Sequence, residues 1–366
     1  MNPKAAKLKE LFDDVFKKGF FNGNVLIAEN GAILIEEAYG LADFSTGRKL
    51  EKNTVFEVAS VSKQITASAV LLLCIRGQIS LEDKMEKFFP GFPYENITVH
   101  DLLTHTSGLP DYMEYLTKNY EGRIVGNEEL LDFLMKKVSP PDFAPKEKRE
   151  YSNTGYALLA SIIEKVSGKP FGEFLKNEIF IPAGMTSSCT YHRRLNGHTI
   201  ANYAYGFVLD DGKHRLPDDV DATKFVITLD GVRGDGIVNT TIQDLFTWDR
   251  VLREGRIIPH EWQKKAYTDD FDKRDEEFVY GYGWRLTTDQ DLGAVVSHGG
   301  GWPGYGTYYK RYLDKDIVMI IFTNFTANMD ERVVLIEEAS NILAGREHKL
   351  VERVVKPEEP GEQKTD

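Results

Sequence analysis

Apolar and polar positions alternate along this chain in a way that sets strand-rich ends around a helical middle. Leu8, Leu11, Phe12, Val15 and Phe16 recur at helical spacing, which predicts an amphipathic helix near the start. Residues 24–28 and 32–36 are apolar runs joined across Asn30-Gly31, the dipeptide best suited to a tight turn, and they predict an antiparallel hairpin. Residues 65–75 are apolar on nearly every face, so a helix there is buried all round, and Gly77 supplies its stop. From about 60 to 185 the period stays helical, with further helices over 128–137, 156–166 and 171–180. Strand character returns over 294–297, 307–312 and 317–324, with Asp314-Lys315-Asp316 as the turn between the last two. Residues 331–343 read as a closing helix before Gly345.

Strands at both chain ends imply an α+β fold with one sheet assembled from distant segments. The expected layout is one catalytic domain over 1–345, its sheet part from about 1–60 and 200–345 and its helical part from about 61–199. Residues 346–366 are charged and contain Pro357 and Pro360, which predicts a frayed tail.

Composition narrows the functional classes. At 366 residues and 42% hydrophobic, the chain can bury a large core. A formal charge of −12, from 45 basic and 57 acidic side chains, argues against a phosphate-binding surface, so nucleic acid is not an expected partner. Cys74 and Cys189 are far apart, and Cys74 sits inside the apolar helix, so reduced thiols are expected rather than a disulfide framework. No apolar run reaches the ~18 residues of a membrane span. The N-terminal segment lacks an uninterrupted apolar signal core and reads as a cytoplasmic start, although a chain trimmed of its export signal reads the same. The eight histidines are scattered without ligand spacing, which disfavours a metal hydrolase, and no cofactor is expected. A Gly-x-Ser-x-Gly elbow is absent, so an α/β-hydrolase is not supported.

The densest chemical signal is Ser60-Val61-Ser62-Lys63, at the head of the apolar helix. Residues three apart share a helix face, so the hydroxyl of Ser60 and the amine of Lys63 point into one volume, where the helix dipole favours negative charge. A chain this long holds about one Ser-x-x-Lys by chance, so the weight falls on accompanying elements. Tyr151-Ser152-Asn153 sits at a loop-to-helix junction; a phenol set beside an ammonium loses its proton more easily, the resulting tyrosinate is a competent general base, and Asn153 offers both a donor and an acceptor. Ser297-His298-Gly299-Gly300-Gly301 follows an apolar run, and its glycines let substrate lie against bare backbone. The N–H of Gly301 is a candidate oxyanion donor together with that of Ser60. His105 and Ser107 offer a second imidazole and hydroxyl pair.

The ordered set Ser-x-x-Lys, Tyr-x-Asn and His-x-Gly resembles the serine β-lactamase and penicillin-binding protein superfamily, in its class C β-lactamase-like branch of esterases and D-amino-acid peptidases. Leu102-Leu103-Thr104-His105-Thr106-Ser107-Gly108-Leu109-Pro110, Ile181-Pro182-Ala183-Gly184-Met185 and Gly234-Asp235-Gly236 extend the resemblance over nearly the whole chain. It implies an antiparallel sheet flanked by helices and packed on a helical subdomain, with the site in the cleft between them. It further implies Ser60 as nucleophile, Lys63 as the group tuning its proton, Tyr151 as base and leaving-group acid, and Asn153 as ligand to substrate amide and lysine. Only this resemblance makes His105 and Ser107 structural. His298 stands where β-lactamases carry a lysine. Histidine, with an unperturbed pKa of about 6.5, is mostly neutral at pH 7, so carboxylate-bearing β-lactams are expected to be held less firmly. Gly299 and Gly300 similarly suggest a roomier acyl site.

The expected activity is acyl transfer to Ser60 from a small ester, amide or short peptide, followed by hydrolysis. Tyr112, Tyr115, Trp302 and Tyr305 are aromatic candidates for the pocket wall. The alternatives are a β-lactamase and a catalytically silent scaffold on the same fold.

Overall fold

The computed structural model describes residues 2–271, 279–325 and 329–351. Contacts divide the chain into two units, Asn22–Thr326 and a terminal unit of Met1–Phe21 with Ala327–Asp366. In the terminal unit the helix Pro3–Lys17 packs against the helix Met329–Ala344. Asn2 caps the first of these by accepting the N–H of Lys4, and Pro3 occupies the first helical turn, where its missing N–H costs nothing. Both helices were legible from their apolar spacing. The sequence grouped them with the sheet, whereas they form a contact unit of their own. The tail beyond 351 lies outside the described residues.

The larger unit is built on a six-stranded antiparallel sheet. In chain order its strands are β1 (Gly23–Glu29), β2 (Ala32–Tyr39), then, after the two-residue strands β3 (Phe56–Glu57) and β4 (Cys189–Thr190) and the short β5 (Val238–Thr240), β6 (Arg285–Asp289), β7 (Gly293–Trp302), β8 (Tyr305–Tyr312) and β9 (Ile317–Thr323). The spatial order is β6-β7-β8-β9-β1-β2, while β3, β5 and β4 make a separate small sheet. The predicted hairpin forms as expected, with Asn30 and Gly31 both at positive φ, as a tight β-turn of this type demands. β1 then pairs with β9 from Gly23↔Thr323 to Glu29↔Ile317, so strands nearly 300 residues apart become neighbours. β9 is buried throughout, as a central strand should be. The edge strand β6 escaped the sequence reading because Arg-Leu-Thr-Thr-Asp carries no apolar run.

Three helices complete the frame of the site: α1 (Lys63–Ile75), α2 (Asn153–Ser167) and α3 (Ile242–Arg253). A 3-10 turn, Ala59–Ser62, runs directly into α1 and packs against β7 and β8. α1 is buried from Lys63 through Cys74, which matches its apolar faces all round. α2 crosses α1 and is capped by Ser152, whose hydroxyl accepts the N–H of Gly155. α3 lies on β9 and β1. The predicted helix over 171–180 is instead α-helical over Phe171–Leu175 and a π-turn over Lys176–Phe180. One hydrophobic cluster runs from Leu26 and Phe322 on the sheet through α1 and α2 to Trp248 on α3. Both cysteines are free thiols.

Candidate active site

Ser60 lies in the 3-10 turn, partly exposed, while Lys63 one turn later is fully buried. Lys63 Nζ donates to Ser60 Oγ at 3.0 Å, to Asn153 Oδ1 at 2.8 Å and to the backbone oxygen of Asp235 at 2.7 Å. Those three oxygens satisfy all three N–H donors of an ammonium, which offsets part of the cost of burying it. The faces of Tyr151 and Tyr156 close over it, their centroids 5.0 and 5.7 Å from Nζ. Residues 60, 63, 151 and 153 therefore meet in one place, as the sequence predicted.

The backbone around Ser60 is held in uncommon conformations. Ala59, immediately before it, has φ +46°, and the β-branched Ile237, across the cavity, has φ +78°. Such backbone persists only where packing over-determines it. At Ile237 the pinning is visible: its oxygen accepts from Tyr191 N and Asn239 Nδ2, and the next N–H, of Val238, donates to Ser62 Oγ.

Tyr151 is positioned by the segment around His105. Glu150 N donates to the oxygen of His105 and Ser152 N donates to His105 Nδ1, both at 3.0 Å, so one residue grips the loop on either side of Tyr151. The imidazole also packs on the Tyr151 ring at 4.5 Å. Burial, reinforced by the Lys63 charge, holds His105 well below the usual histidine range. It is a neutral ring accepting at Nδ1. The structural reading of the Leu-Leu-Thr-His-Thr-Ser-Gly run thus acquires a specific task.

His298 departs from its expected part. Both of its ring nitrogens are taken within the protein: Nδ1 lies 2.7 Å from Gly299 O and Nε2 lies 2.8 Å from the hydroxyl of Tyr280. Because a carbonyl only accepts, Nδ1 carries the proton and Nε2 accepts from Tyr280. Burial, aided by the charge of Lys63 and opposed by the Gly299 hydrogen bond, pushes its pKa down to about 3. The imidazole, 2% exposed, is a neutral anchor for Tyr280 and not the substrate contact that its sequence position suggested.

The glycines after it divide. A Cβ at Gly300 lies 2.2 Å from Thr307 Oγ1 and 2.4 Å from Val58 O, so this residue lets β7 close on the 3-10 turn. Its role is packing, a correction to the expectation that it widens the acyl site. Added Cβ atoms at Gly299 and Gly301 meet no close neighbour, and Gly301 is exposed beside the cavity. The pairing of β6 with β7 stops at Ser297, which leaves residues 298–302 at the sheet edge next to Ser60.

A cavity of about 130 Å³ opens beside Ser60, lined among others by Glu57, Tyr112, Asn153, Asp235, Gly301 and Trp302. Of the four aromatic candidates, Tyr112 and Trp302 form its wall. Tyr115 stacks on Phe133 at 4.3 Å, and Tyr305 bonds Tyr203 and the Ala204 oxygen in a separate cluster. Sequence reasoning noted Gly234-Asp235-Gly236 only as a resemblance, yet Asp235 both accepts from Lys63 and takes the Tyr112 hydroxyl at 2.7 Å. Tyr280 carried no signal at all, being an isolated tyrosine outside every motif.

Known proteins resemble this chain over nearly its whole length. The family model described as Beta-lactamase matches residues 8–343, and the chain belongs to that family, whose members are serine hydrolases. It is similar to penicillin-binding protein 4* of Bacillus subtilis (strain 168), 40% identical over 353 residues that cover 96% of this chain and 78% of the relative. It is 26% identical over 344 residues to the teichoic acid D-alanine hydrolase of Staphylococcus aureus, covering 91% of this chain and 77% of that protein. The octameric penicillin-binding protein homologue from Pyrococcus abyssi shares its fold with a TM-score of 0.78 and 26% identity, over 94% of this chain and 78% of that one.

Proposed function

We propose that this hydrolase cleaves an ester or amide by acyl transfer to Ser60. The observation that carries the reading is the three-way bond of the buried Lys63 ammonium to Ser60 Oγ, Asn153 and the Asp235 backbone. In the forward step, with Tyr151 as the phenolate, Ser60 Oγ attacks the substrate carbonyl and its proton passes to the Tyr151 oxygen. The carbon–oxygen or carbon–nitrogen bond to the leaving group then breaks, and Tyr151 returns the proton to that group. Water, deprotonated in turn by Tyr151, attacks the ester and restores Ser60. The N–H groups of Ser60 and Gly301 are the proposed donors to the developing oxyanion.

A dedicated β-lactamase is the weaker reading, because the place of its cation is filled by an imidazole locked neutral. D-Amino-acid derivatives are the first substrates to try, given the relative that hydrolyses D-alanine of teichoic acid. A panel of a chromogenic cephalosporin, short p-nitrophenyl esters and D-alanyl anilides, ranked by kcat/KM, decides between the classes. Ser60→Ala is expected to lower every rate by at least about a thousandfold, in line with loss of a covalent nucleophile. Any rate left unchanged in that variant removes Ser60 from the mechanism, as does a folded protein whose Ser60 never reacts with a serine-directed phosphonate.

A further inference from the structure

Among the described residues, one acidic group in the wall of the cavity beside Ser60 has no partner within the protein. Of the carboxylates in its wall, Asp235 accepts the Tyr112 hydroxyl. Asp230 is held by Arg194 Nη1 at 2.8 Å and by the backbone N–H groups of Arg194 and Leu195. Glu57 differs: among the described residues its carboxylate has neither a hydrogen-bond nor an ion-pair partner, although it is only partly accessible. β3 fixes its direction, since Phe56 is fully buried and the side chain of Glu57, next along the strand, points to the opposite face and into the cavity wall.

The charges around it do not balance. Arg193 and Arg194 pair with Asp218, and Arg194 also pairs with Asp230; Lys63 is the cation beside Ser60, where Asp235 sits. Both arginines that act on Glu57 are thus committed to Asp218 and Asp230, which leaves Glu57 without a counter-ion among the described residues. A half-buried carboxylate without a partner is costly. A cation arriving in the cavity removes that cost.

We propose that the cavity takes an acyl group bearing a protonated amine, whose ammonium is held by Glu57, so that the substrates are esters or amides of amino acids with a free amino group. The proposal rests on the acyl-transfer reading of Ser60 and narrows it. It separates substrates with a free amine from N-acylated ones, the latter including peptides cut from their carboxyl end and β-lactams. The groups facing Glu57 are Arg193, Arg194 and Asp230, with the phenols of Tyr203 and Tyr305 behind it. Burial, with Asp230 adding to it and the two arginines opposing, raises the Glu57 pKa to about 7. Preference for the free amine therefore grows as pH rises through that value, and declines again as a substrate amine near pKa ~8 loses its proton.

The test measures kcat/KM for alanine p-nitroanilide and its N-acetyl counterpart, in both enantiomers, on the wild-type enzyme, Glu57→Gln and Ser60→Ala. The expected result is a ratio of free-amine to N-acetyl kcat/KM of at least tenfold in wild type near pH 7.5. In Glu57→Gln the ratio falls toward one, chiefly through KM for the free amine. A wild-type ratio at or below one overturns the proposal without any variant, and so does a ratio unchanged in a folded Glu57→Gln. If Ser60→Ala still turns over either anilide, it is the acyl-transfer reading that fails instead.

Discussion

His105, His298 and Glu57 are three groups whose buried surroundings alter when they carry a proton, and together they make stability depend on pH. Both histidines are held below their ordinary range, so on acidification the unfolded chain binds their protons first, below about pH 6.5. Their contribution is full above that value and is lost as pH falls. Glu57, raised to about 7, acts in the opposite sense: between about 4.5 and 7 the folded state keeps a proton that the unfolded state releases, and stability declines as pH rises. Near pH 5.5 these groups leave the unfolded state with one proton more, so they add about 1.4 kcal/mol of stability for each pH unit gained. Urea unfolding at pH 5 and 6 measures the slope. Glu57→Gln is expected to steepen it and His105→Gln to flatten it. The same pKa values predict that the pH–rate profile contains no ionisation of His298 between pH 5 and 8. At this scale Ser60, Lys63, Tyr151 and Asn153 were legible because each lies in a local motif whose spacing carries its geometry. Asp235 and Tyr280 were not, because their partners come from other segments, and neither was Glu57, whose cavity is walled by other segments.

The elements carry the site through close approach as much as through chemistry. β7 meets the 3-10 turn at Gly300, where the Val58 oxygen and Thr307 leave no room for a side chain. Gly300→Ala is therefore expected to destabilise the protein by about 1–3 kcal/mol, the cost of overpacking, and to depress kcat by shifting Ser60. Gly301→Ala, which meets open space, should leave thermal unfolding within about 0.5 kcal/mol of wild type. Parallel melts of the two variants check the contrast. Periodicity alone located the N-terminal helix, the Asn30-Gly31 hairpin, α1 and the closing helix, because each follows one uninterrupted apolar pattern. It missed β6 and the π-turn over Lys176–Phe180, an edge strand and a local irregularity that have no pattern of their own.

For the molecule as a whole, the sheet is tied to α3 by a buried ion cluster. Asp249, fully buried, accepts from Arg311 Nε at 2.6 Å on β8 and from Arg250 and Arg253 on its own helix. Burial disfavours its charge, but the three guanidiniums outweigh that and hold its pKa below the ordinary carboxylate value. Asp249→Ala leaves Arg311 buried without its carboxylate, and a loss of about 3–5 kcal/mol in chemical denaturation is expected. The sequence by itself determined the α+β class, the main helices and the family-like order of Ser60, Lys63, Tyr151 and Asn153, because those depend on periodicity and on spacings within one turn or one loop. Tertiary structure alone decided that β1 pairs with β9, that His298 serves Tyr280 and that Asp235 holds Lys63. It also decided that Glu57 faces the cavity with no partner among the described residues. The physical reason is that hydrogen bonds and charge pairs between distant segments depend on where packed elements come to rest, and a linear pattern contains no record of that approach.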